Sequence, residues 1–214
     1  MTRTLKERTF SGTTNPEIQP WEIEHRKLAR LAAAEGIVLL KNEEHVLPLK
    51  AGSAVAIYGA GAGKTIKGGT GSGDVNEREK VSICQGMKNA GFQITTEDWI
   101  NSYDKIYDQA RQDWKKDILS RTGEGANTMD FFSVYSTTPF IMPAGDTIRK
   151  PVEGENTDTA IYVLSRIAGE GADRTADKGD YYLKDEEYEM LADICAYYRD
   201  VIVVINAGAQ VDLS

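Results

Sequence analysis

Three short runs constrain the fold most: "AVAIYG" (Ala54 to Gly59), "AIYVLS" (Ala160 to Ser165) and "VIVVIN" (Val201 to Asn206). Each is almost continuously apolar rather than alternating. A strand with no polar side must be covered on both faces, which is the condition of a parallel sheet clad in helices. "IVLLKN" (Ile37 to Asn42) and "FQIT" (Phe92 to Thr95) read as further strands. Between the runs the apolar spacing changes to three- and four-residue steps. A helix is expected from Trp21 to Glu35, after Pro20, with Leu28, Leu31 and Ala32 on one stripe and Gly36 ending it. Another covers Val81 to Ala90 and stops at Gly91. A long third helix carries Trp99, Tyr103, Ile106, Tyr107, Ala110, Trp114 and Ile118. A fourth, capped by Asp185, runs through Arg199 with Tyr188, Leu191, Cys195 and Tyr198 on one face. Strand and helix alternate, so the expected class is α/β: a three-layer α/β/α sandwich with a mostly parallel sheet.

The organisation follows from where this pattern holds. Residues 1–20 are polar and irregular and read as an N-terminal arm. Residues 21–214 form the domain, with a long irregular loop at 121–158 rich in Gly, Thr, Ser and Pro. The chain closes on "NAGAQVDLS", just past a buried strand and where a further helix is expected. Either the sheet ends there, or the domain is incomplete at its C-terminus and belongs to a longer protein.

A length of 214 residues with 41% hydrophobic residues supports a core that needs no disulfides. The net charge of −8 repels nucleic acid and anionic lipid, so neither is an expected partner. No apolar run approaches the roughly 20 residues that cross a bilayer. "MTRTLKERTF" has no apolar segment of a signal peptide. A cytoplasmic protein is expected, with Cys84 and Cys195 as buried structural thiols. Cys84, Cys195, His25 and His45 lack metal-ligand spacing, and no metal or other cofactor is expected.

The stretch "AVAIYGAGAGKTIKGGTGSGDV" (Ala54 to Val75) invites a nucleotide-binding reading. A P-loop needs G-x-x-x-x-G-K-[ST]. Five residues before Gly63 stands Tyr58; Gly59 is one residue too close. Backbone N–H groups must curl round a phosphate at fixed intervals, so the spacing matters. The dinucleotide pattern G-x-G-x-x-G fits Gly59 and Gly61 but meets Lys64 at its third place. No helix start follows Thr65 to supply a dipole. What remains is a glycine-rich turn at a strand's C-terminal end, where α/β sheets bind ligands.

Several separated stretches share one likeness: "HRKLARLAAAEGIVLLKNE" with "LPL" (His25 to Leu49), "GGTGSGDV" (Gly68 to Val75), and "SRIAGEGADR" with "GDYYL" (Ser165 to Leu183). With "VIVVINAGAQVDL" they occur in the order of, and resemble, the α/β sandwich domain of glycoside hydrolase family 3, the β-glucosidase and β-xylosidase group. The likeness runs from about residue 21 to 214, weakest at Arg121 to Asp158. It implies a partner (β/α)8-type barrel that supplies an aspartate nucleophile, and a sandwich domain that overhangs the sugar and often supplies the acid/base glutamate. A short lead-in before the sandwich resembles members in which the barrel follows it, so the chain is expected to be an N-terminal piece. Alone it is expected to hydrolyse nothing.

A retaining glycosidase places two carboxylates about 5–5.5 Å apart; one attacks the anomeric carbon while the other protonates the leaving oxygen. Glu170 lies between Gly169 and Gly171 just after a strand, and flanking glycines let backbone approach a ligand. The resemblance makes Glu170 the acid/base. Arg166, Asp173 and Arg174 surround it, either as an ion-pair network holding the loop or as direct sugar contacts. Ser72 and Asp74 are expected either to reach a substrate hydroxyl or the barrel surface, or to cap a local turn. Phe131, Phe132 and Tyr135 suit packing better than stacking on a sugar. The expected partner is a β-glycoside ending in glucose or xylose. A non-catalytic carbohydrate-binding or scaffolding module and a nucleotide-binding α/β protein are the other readings.

Overall fold

A computed structural model of the chain describes residues 17–69, 73, 79–123, 125–151, 157–168 and 174–214. Two compact units result, Met1–His45 and Val46–Ser214.

The first unit contains helix α1 (Pro20–Gly36). Proline at its first turn loses no hydrogen bond, because that N–H has no partner in any helix. The Gln19 N–H donates to the Glu22 carboxylate at 3.2 Å, which satisfies one of the exposed donors at the helix start. The expected strand at Ile37 to Asn42 does not form. Ile37, Val38, Leu39 and Leu40 are 63–78% exposed, in non-repetitive backbone. An apolar run becomes a strand only where a neighbour completes its ladder, and no described residue does so here.

The second unit holds a four-stranded parallel sheet in the order β2-β1-β3-β4. β1 is Ala54–Tyr58, β2 Gln93–Ile94, β3 Thr159–Arg166 and β4 Asp200–Ala207. β3 pairs with β1 from Ala56↔Ala160 to Tyr58↔Tyr162, and with β4 along its whole length. Val55 to Tyr58 and Ala160 to Leu164 are at most 4% exposed, as their uniform apolarity requires. Fully burying a side chain of this size contributes roughly 1.5–3 kcal/mol. β2 is short because a side chain takes over from it: Thr96 Oγ1 accepts from the Ile57 N–H and donates to the Ile57 carbonyl, both at 2.8 Å. One hydroxyl thus replaces a strand neighbour.

Helix α2 (Ile83–Asn89) leads from β1 out to β2 at one edge. Helix α3 (Glu97–Thr122) returns the chain across the sheet, burying Trp99, Ile100, Tyr103 and Ile118. Its inner face meets β1, where the Tyr58 ring lies edge-on to Trp99 and its hydroxyl bonds Tyr198 at 2.8 Å. The expected 121–158 loop is not wholly irregular. Helix α4 (Thr128–Ser136) forms inside it, started by Asn127, whose carboxamide accepts from Met129 and Asp130. Tyr135 of α4 packs edge-on against Trp114, while Phe132 is exposed.

Helix α5 (Asp185–Tyr197) differs from expectation in its cap and its inner face. The cap position is Lys184, whose N–H donates at 2.9 Å to Glu187, not Asp185. The buried face is Glu187, Met190 and Ile194; of the expected residues Tyr198 is buried and Leu191 packs partly against the core, while Tyr188 and Cys195 are exposed. Cys84 is buried as expected, but Cys195 is not. The rotation follows from a charge that finds a partner inside, so a glutamate can occupy a core position.

Candidate functional site

The strand order creates one special place. The connection leaving β1 runs to β2 and that leaving β3 runs to β4, although β1 and β3 are neighbours. Their loops diverge at the C-terminal edge and leave a crevice, the usual ligand position in an open α/β sheet. A cleft of about 360 Å³ opens there, bordered by Gly59, Ala60, Ser165, Ala168, Arg174 and Lys184 among others. Its size suits a small ligand.

The loop leaving β1 is held by close packing. Gly59 has φ +92°, a left-handed conformation, and a β-carbon there would sit 2.8 Å from the Val163 nitrogen and closer to its carbonyl. A β-carbon on Gly61 would strike Ser165 Oγ, and one on Gly63 would lie 2.7 Å from Asp104 Oδ1. These glycines let the turn lie directly on β3 and α3. Thr65 then cinches the loop: its hydroxyl donates to the Gly61 carbonyl at 2.6 Å and accepts from the Ile83 N–H at 2.8 Å. Lys64 pairs with Asp108 at 2.8 Å and lies over the Tyr107 ring. Its ammonium is committed to α3, which agrees with the missed phosphate spacing. Asp104 Oδ1 is buried with no hydrogen-bond partner among the described residues, and burial pushes its carboxyl above the ordinary range.

The loop leaving β3 is held by charge. Arg166, at the end of β3, is 5% exposed and makes a bidentate pair with Glu187, both distances 2.7 Å. Its Nε donates to the Asp180 carbonyl, Nη1 to Ser165 and Nη2 to Tyr182. All five guanidinium N–H donors are therefore used within the protein. Arg174 is held from the same side, though its donors are less completely used. It faces the Asp180 carboxylate and donates to the carbonyls of Asp180 and Gln210. Lys184 reaches the Met142 carbonyl, and burial lowers its amine below the usual lysine range, opposed by Glu187.

Of the residues singled out from sequence, Arg166 and Arg174 meet at the cleft through Asp180. Ser72, Asp74, Glu170 and Asp173 lie outside the described residues. The roots of their loops are described, and they touch: a β-carbon on Gly69 would come within 2.6 Å of the Ala168 carbonyl. Sequence reasoning missed Glu187, Thr65 and Asn206. For Glu187 a signal existed, since a lone carboxylate on the stripe Glu187, Met190, Ile194 demands a buried cation.

The model of the "Glycosyl hydrolase family 3 C-terminal domain" matches residues 37–214. The chain is similar to Beta-glucosidase A of Butyrivibrio fibrisolvens, at 30% identity over 88% of this chain and 23% of that protein. It is also similar to the Beta-glucosidase of Ruminococcus albus, at 29% identity over 89% of this chain and 18% of that one. Among solved structures, beta-glucosidase 3B from Thermotoga neapolitana in complex with alpha-D-glucose superposes with a TM-score of 0.61, at 33% identity, covering 91% of this chain and 26% of that chain. The chain thus spans about a quarter or less of the length of these relatives.

Proposed function

Because the chain belongs to glycoside hydrolase family 3, as its C-terminal domain, we propose that it serves a retaining β-glycosidase acting on terminal β-linked glucose or xylose. The observation that carries the reading is the meeting of two glycine-rich loop roots, at Gly69 and Ala168, where Ala168 borders the cleft at the C-terminal ends of β1 and β3. The glucose-bound Thermotoga relative supports the sugar class.

In this reading the loop leaving β3 carries the acid/base, Glu170. The aspartate nucleophile lies on a barrel of the same polypeptide. During glycosylation the protonated Glu170 gives its proton to the leaving oxygen as the nucleophile attacks; during hydrolysis it takes a proton from water. Arg166 acts on this chemistry from below, because its donors are used in fixing both ends of the loop. Arg174 extends that network to Asp180, and Asp173, Ser72 and Asp74 are assigned to substrate binding. The two free thiols suit the cytoplasm, where we place the enzyme.

The test is made in the polypeptide that carries the barrel. Glu170→Ala should lower turnover of glycosides with poor leaving groups by roughly 10²–10⁴-fold. Azide should partly restore turnover of aryl glycosides with good leaving groups. An unaffected Glu170→Ala enzyme moves the acid/base elsewhere. The chain without its barrel should hydrolyse no aryl β-glucoside, and Glu170-dependent turnover by it overturns the shared site.

A further inference from the structure

The function just proposed assigns nothing to Asn206, the last polar residue of β4, yet its carboxamide holds the loop that leaves β1. Oδ1 accepts from the Ile66 N–H at 2.7 Å, and Nδ2 donates to the Ile66 carbonyl at 2.9 Å. Both backbone groups of one loop residue are thereby met by one side chain. The pattern is that of a parallel strand neighbour, and it repeats on the far edge, where Thr96 does the same to Ile57. Oδ1 also accepts from Ser165 Oγ at 3.1 Å, and Ser165 is the residue against which Gly61 rests. Three residues beyond Ile66, Gly69 abuts the Ala168 carbonyl. The β1 loop is therefore tied at Ile66 to the end of β4 and laid at Gly69 on the first residues past β3.

We propose that Asn206 is a positioning residue: its grip on Ile66 sets the height at which Gly69 meets Ala168, so that both rims of the crevice bind substrate as one body. The inference rests on the β-glycosidase reading for its effect on activity, but not for the coupling itself. A backbone pair met by a rigid carboxamide has one register. Without it, the loop is held at Thr65 and is free to rise from Ala168. Substrate would then have to order the loop on binding, a cost that appears in KM rather than in the chemical step.

The experiment compares Asn206→Ala, Asn206→Asp and Gly69→Ala with Thr96→Val, all in the barrel-carrying polypeptide. Asn206→Asp keeps the shape but sets a carboxylate oxygen against the Ile66 carbonyl. Gly69→Ala separates the rims without touching Asn206. Thr96→Val removes the matching clasp away from the crevice. Kinetics on an aryl β-glucoside and hydrogen exchange of the segments 64–69 and 165–168 are measured. Each crevice variant should raise KM roughly ten-fold with kcat within about three-fold, and speed exchange in both segments together. Thr96→Val should lower the melting temperature with KM unchanged. If Asn206→Ala does not fold, Asn206→Asp and Gly69→Ala carry the same comparison. Unchanged KM, or a fall in kcat alone as from fewer folded molecules, overturns the positioning role. Faster exchange in one segment only overturns the coupling. An enzyme inactive on β-glycosides before any substitution overturns the function proposed above, and exchange alone then decides the coupling.

Discussion

The loops leaving β1 and β3 border the same crevice but are secured by opposite means. The β1 loop rests on missing side chains: Gly59, Gly61 and Gly63 press on Val163, Ser165 and Asp104, and neutral hydrogen bonds from Thr65 and Asn206 close it. The β3 loop rests on charge: Arg166 and Glu187 are buried together and hold carbonyls on both sides of the loop. Close packing is graded, because each added atom pushes a little. A buried ion pair is nearly all-or-none, because one partner left alone is an unpaired charge in low dielectric. The rim that carries Glu170 thus has the more brittle foundation.

The largest expected effect breaks that foundation. Glu187→Ala strands the Arg166 guanidinium, and chemical denaturation should show a loss of about 3–5 kcal/mol. Glu187→Gln keeps an acceptor and should lose clearly less; equal losses would mean that the charge of Glu187 contributes nothing. The β1 side should be hurt next. Gly59→Ala meets both a left-handed backbone and the Val163 peptide, and should cost roughly 2–4 kcal/mol. Gly73→Ala, where no described residue lies within 4 Å of the added carbon, provides the reference.

The smallest effect has the opposite sign and sharpens the contrast. Asp104, half-buried with its Oδ1 inside, lies beneath Gly63 on the glycine-packed side of the crevice. Its folded carboxyl titrates above its unfolded value of 3.8 because burial disfavours the charge. Between those two values the native state holds the proton that the unfolded state has released, so this group favours folding more as pH falls through that window. Asp104→Asn should accordingly raise the melting temperature slightly at neutral pH and flatten this part of the profile. A lower melting temperature at neutral pH would show that the Lys64 charge nearby outweighs burial.

The legibility of each element followed its physics. "AVAIY" and "AIYVLS" were readable because continuous apolarity has one common outcome in a covered sheet; "VIVVIN" forms its strand but, at the end of the described sheet, is only half-buried, with Val203 40% exposed. "IVLLKN" has the same composition yet lies exposed and unpaired in any described ladder, since a strand is defined by its neighbour and not by its own residues. Helix α4 escaped because nine residues with a weak stripe do not stand out from a Ser- and Thr-rich background, although Asn127 ahead of "TMD" was a usable cap signal. On α5 the aromatic Tyr188 drew the expected face away from Glu187, because periodicity weighs apolarity and a buried glutamate is legible only beside the cation, here Arg166 of β3, that neutralises it.

The sequence by itself determined the α/β class, the glycine turn that is no phosphate loop, and the family whose domain model matches residues 37–214. These rest on local pattern and motif order, which travel with the chain. Tertiary structure alone decided which loops become neighbours, that Arg166 turns inward to Glu187, and that Asn206 stands in for a strand beside Ile66. Those contacts join residues 21 and 140 positions apart, and only the order β2-β1-β3-β4 brings them together.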